Sequence, residues 1–96
     1  MNTEEVKSAI EGGRGDALDL LLENCPKAYD AFHKHANALA KVLAGVRKQF
    51  PDAVYYTSGG DGFALLLGSS HGDHEEPNTE LQATQSVKLK VQGGDW

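Results

Sequence analysis

The sequence predicts an α+β fold in which N-terminal helices, one of them long, pack on a three-stranded antiparallel sheet. Three observations lead there. Leu18, Leu22, Cys25, Tyr29, Phe32, Ala36, Leu39, Leu43, Val46 and Phe50 recur at alternating steps of four and three, which keeps one apolar stripe on one side of a helix. After Pro51 the period becomes two, with β-formers in "DAVYYTS" and "GFALLLG" on either side of Gly-Gly-Asp-Gly. A third segment alternates Leu81, Ala83, Val87, Leu89 and Val91 with polar residues at the even positions, the pattern of a strand with one wet face.

The elements follow in order. A short helix over about 4–11 ends in "GGRG" at 12–15, where glycine breaks the pattern. Asp16 caps a second helix over about 17–23, and Asp19 in its first turn suits the helix dipole. Pro26 has no N–H to continue that helix, so it either kinks it or starts a new one; the new start is favoured, capped by Asn24 or Cys25 with Pro26 at the first helical position, running to about Phe50 and stopping at "QFPD". Lys27, Lys34, Lys41 and Lys48 recur every seven residues opposite the apolar stripe and mark its solvent side. Strands are expected at about 53–58, 62–68 and 80–92, with "SSHGDHEEPNTE" as a polar loop and 93–96 as a flexible tail. A helix of about 24 residues is roughly 36 Å long, whereas a strand of five or six residues covers roughly 20 Å. Part of the stripe is left over. Either the short helix around Leu18 to Leu22 folds back along it or a second copy of the chain pairs with it; the second is favoured, with Tyr29, Phe32, Leu39, Leu43 and Val46 expected as the seam of a homodimer.

Composition bounds the class. With 96 residues, 40% hydrophobic and 24% charged, the chain reads as one domain with a thin core, and no apolar run approaches the ~18 residues of a membrane span. The acidic start lacks the apolar stretch of a secretory signal, and the single Cys25 makes no internal disulfide, so a cytoplasmic protein is expected, with Cys25 as a small buried hydrophobe. A net charge of −5 argues against direct nucleic-acid binding, which rests on Lys and Arg at phosphates. No Lys or Arg occurs between Gln49 and Val87, whereas Asp52, Asp61, Asp73, Glu75, Glu76 and Glu80 do. One end of the molecule is expected to carry a negative field.

Few residues are candidates for chemistry. His71, Asp73 and His74, with Glu75 and Glu76, gather imidazoles and carboxylates of the kind that hold a divalent ion, but structural zinc sites draw on two separated pairs and the second pair is missing. A solvated acidic loop is the expectation, with no metal and no cofactor. His33 and His35 are two apart on a helix, point about 200° away from each other, and do not chelate together. Asp73, Glu75, Glu76 and the lone Trp96 are the candidate contacts to a partner protein, tryptophan being frequent in binding hot spots.

Residues 36–68, "ANALAKVLAGVRKQF" followed by "YYTSGGDGFALLLG", resemble the signature helix and hairpin of diguanylate cyclases, the GGDEF domains. Gly59, Gly60, Asp61 and Phe63 match that motif. Gly62 stands where the family carries a glutamate needed for metal and catalysis, and the upstream strand with its metal-binding aspartate has no counterpart, so the resemblance does not imply cyclase activity. In type and size the whole chain resembles the small acidic accessory proteins of tailed phages and prophages. That resemblance implies a non-enzymatic interaction protein, a modulator or inhibitor of a host factor. The alternative is a small-ligand or divalent-metal module using the turn at 59–61 or the loop at 71–76.

Overall fold

The computed structural model describes residues 1–57 and 62–93. They fall in two compact units, Met1–Leu39 and Ala40–Trp96.

In the first unit the Asn2 carboxamide accepts the Glu5 backbone N–H (3.0 Å) while the Glu5 carboxylate accepts the Asn2 N–H (3.2 Å). This reciprocal cap satisfies donors that have no partner inside a helix and sets the start of α1, Thr3–Glu11. Gly15 then takes φ +107°, and a Cβ there would lie 2.7 Å from Asp19 Cβ. Only glycine leaves room for the second cap, in which Asp16 Oδ1 accepts from the Asp19 N–H and Asp19 Oδ2 accepts from the Asp16 N–H, both at 3.0 Å. That cap opens α2, Ala17–Asn24. Ala9 and Leu20 are the buried apolar side chains of this unit. The Arg14–Glu23 ion pair, 3.4 Å long and exposed on both sides, adds at most about 1 kcal/mol.

Pro26 sits in a turn between helices, so the chain starts again as expected. The Cys25 N–H closes α2 onto the Leu21 carbonyl (2.7 Å), and the Cys25 carbonyl accepts the Ala28 N–H (3.0 Å). Cys25 is exposed and not the small buried hydrophobe expected, since it stands at the corner between two helices and not on the apolar face of either. The new helix, α3, spans Ala28–Arg47 and ends three residues before Phe50. There the Lys48 and Gln49 N–H groups bond back only three residues, to Gly45 and Val46, which tightens and closes the last turn. Arg47 Nε donates to the Pro51 carbonyl at 2.9 Å. No residue of α3 is buried; of the seam, Leu43 and Val46 reach intermediate exposure, while Tyr29, Phe32 and Leu39 stay exposed.

The second unit holds an antiparallel sheet in the order β1-β2-β3, with β1 Val54–Tyr56, β2 Phe63–Leu66 and β3 Gln82–Ser86. The architecture is α+β. Ala53, Ala64 and Leu66 are its buried apolar side chains. β3 is shorter than the expected 80–92. Its last pair among the described residues is Phe63↔Ser86, and beyond it Val87 and Leu89 are exposed despite their alternation. At its other end Thr79–Leu81 forms a 3₁₀ turn, and the Leu81 carbonyl accepts the Leu67 N–H at 2.9 Å.

Candidate functional site

Two surfaces stand out. The first lies on α3. Tyr29, His33 and Phe32 form an aromatic cluster, with His33 4.6 Å from the Tyr29 ring centroid and 5.4 Å from that of Phe32. Positions 29 and 33 meet because they are one helical turn apart. Phe32 is 69% exposed and Val42 54%. The positions flanking the seam are Ala28, His33, His35, Ala40, Val42 and Arg47, none of them a carboxylate or a lysine. Asp30 and the lysines fall on the far side at 100° per residue.

The second surface is a cleft of about 210 Å³ on one face of the sheet. The ladder places its floor and one wall. Tyr56 pairs with Ala64, Ala64 with Gln85, and Leu66 with Gln82, so these side chains share a face. Between Leu65 and Leu66 the register slips: Leu65 faces Thr84 while Leu66 faces Gln82, leaving Ala83 as the extra residue of a β-bulge. Strict alternation would have put Ala83 beside Gln85. The bulge puts a second carboxamide there instead.

A short closed loop forms the opposite wall. The Asn78 N–H donates to the Ser70 carbonyl (2.9 Å), His71 bridges Pro77, and the Gly72 N–H donates to the Glu76 carbonyl (2.9 Å). Asn78 Nδ2 ties the loop to the Ser69 carbonyl at 3.0 Å. Ser70, His71, Asn78 and Thr79 line the cleft from this side. Ser70 Oγ lies 2.9 Å from His71 Nδ1, and the His71 ring meets that of Tyr56 edge-on at 6.0 Å.

The residues singled out in the sequence fare differently. Gly59, Gly60 and Asp61 of the turn, and Trp96, lie outside the described residues. His71, Asp73 and His74 do not gather: Glu76 Oε2 accepts the His74 backbone N–H (3.0 Å), and the Glu76 carboxylate is folded against Gly72, where a Cβ would collide with it. Among the described residues no three His, Cys, Asp or Glu side chains are placed to hold a metal ion. Asp52, Asp73, Glu75, Glu76 and Glu80 are all exposed, and Glu76 doubles as the internal brace of the 72–76 turn. Gln82 and Gln85 were not anticipated. The signal was present, since Gln85 is the polar exception at an odd position among Leu81, Ala83, Val87, Leu89 and Val91.

No helix of the described residues is long and apolar enough to cross a membrane. Comparisons with protein-family models, with curated proteins and with solved structures find no match to this chain.

Proposed function

We propose that this chain works by binding, as a protein-interaction module that forms a homodimer through α3. The observation that carries the reading is the exposure of Phe32 at 69% within an aromatic cluster on a helix that buries none of its residues. A second copy is the occupant that fits. Within α3 the stripe holds Tyr29, Phe32, Ala36, Leu39, Leu43 and Val46, steps of three and four that average 3.5 residues, the period of helices packed side by side, whereas a lone surface helix repeats at 3.6. The flanks carry no carboxylate or lysine, so two copies approach without setting like charges of that kind against each other. The exposed acids between Asp52 and Glu80, with no Lys or Arg among them, then present a negative surface to a basic partner protein. An exposed free thiol at Cys25 fits a reducing compartment such as the cytoplasm.

The test compares two substitutions on opposite sides of α3 by light scattering after size exclusion. Phe32→Asp is expected to reduce the mass to that of one chain, 10.3 kDa, while Lys41→Asp leaves the dimer intact. Equal masses for both variants and the unaltered chain would contradict the proposal.

A further inference from the structure

We propose that the cleft between the sheet and the 70–79 loop is a binding site for a neutral planar heterocycle of the nucleobase class. This goes beyond the dimer reading and does not depend on it. The floor is apolar and closed, formed by Ala64 at 7% and Leu66 at 5% exposure. The Tyr56 and His71 rings meet edge-on, 78° between their planes, so a flat ring stacked on one presents its edge to the other. Such stacking tolerates any base and is a main source of affinity for unpaired bases.

Three carboxamides line the same cleft, from Asn78, Gln82 and Gln85. Each carboxamide carries a donor and an acceptor side by side in one plane, the arrangement that matches the adjacent donor and acceptor on a base edge. Gln85 leans across the backbone at Gly62, its Oε1 3.4 Å from where a Cβ would stand, and Asn78 has its Nδ2 bound to Ser69, which fixes the plane of its amide. The β-bulge at Ala83 brings Gln82 to the same face as Gln85, and bulges of this kind re-aim side chains at sites. Among the described lining residues there is no Asp, Glu, Lys or Arg, so the cleft offers a charged group no carboxylate, ammonium or guanidinium partner and favours a neutral ligand. The volume, equal to about seven water molecules of liquid, suits one ring system and not a dinucleotide.

The experiment titrates the full chain with adenosine, guanosine, cytidine and uridine in turn, then with each 5′-monophosphate and with glucose, following side-chain amide resonances of Asn78, Gln82 and Gln85. At least one nucleoside is expected to shift these resonances saturably, with its monophosphate binding no tighter. Gln85→Ala, at an exposed position that leaves the core alone, is expected to weaken that binding by about fivefold or more, the loss of one amide pair to a base edge. Backbone resonances of β2 report that the variant is folded. No shift with any nucleoside, shifts produced by glucose in place of nucleosides, a tighter fit for the monophosphate, or unchanged affinity in a folded Gln85→Ala would each overturn the proposal.

Discussion

At the level of single residues, Gly15 and Gly45 show how differently one residue type can be used. Gly15 holds φ +107° under the Asp19 side chain, and Gly45 sits in α3 with nothing within 4 Å of an added Cβ. Gly15→Ala forces a side chain into a left-handed backbone and against the cap, and is expected to lower stability by about 2 kcal/mol. Gly45→Ala improves helix propensity at no steric cost, for an expected gain of about 0.5–1 kcal/mol. Urea unfolding midpoints of the two variants should move in opposite directions from the unaltered chain, and a shift of the same sign would refute the conformational assignment. Glu76 shows the same economy. It belongs by composition to the acidic loop, yet its carboxylate caps the His74 N–H and braces the turn.

The elements were largely legible in the sequence, and the failures share one cause. Helix starts are local events. Asp16 with Asp19 acts within a few residues and α2 starts where that signal puts it, whereas Pro26 marks the break but lies in the turn, and α3 starts two residues later, at Ala28. The cap of α1 is equally local, Asn2 with Glu5 three residues on. β3 is another matter. Its length depends on a partner strand, β2, which begins at Phe63 opposite Ser86, and its facing depends on a bulge that alternation cannot reveal. Hence the expected strand at 80–92 shrank to Gln82–Ser86, and Gln82, an even position that alternation gives to the wet face, joined Gln85 on the face of the odd positions, where the cleft lies. Deleting Ala83 tests this element directly. The remaining residues keep their partners, Thr84 opposite Leu65 and Gln82 opposite Leu66, so the strand becomes regular and stability should change by no more than about 1 kcal/mol. Hydrogen exchange that shows β2 unprotected in this variant would mean the slip is not a bulge at Ala83.

For the molecule as a whole, the balance between buried and exposed apolar surface decides the account. The buried apolar side chains among the described residues are Ala9, Leu20, Ala53, Ala64 and Leu66, and three of these five are alanines. Chains of this size gain little from one core and often gain stability by association. A seam carrying exposed Tyr29, Phe32 and Leu39, with exposed Val42 on its flank, supplies that missing burial when two copies pair. The melting temperature of the unaltered chain should therefore rise with protein concentration, as it does when the folded state is a dimer and the unfolded state is not. A concentration-independent midpoint would speak for a chain that is stable alone.

The most direct check is the equilibrium mass of the unaltered chain by sedimentation across the micromolar range. Pairing along α3 predicts twice 10.3 kDa, approached as concentration rises. A constant 10.3 kDa throughout would contradict the account, because the Phe32 face would then stand open to water with no copy to cover it.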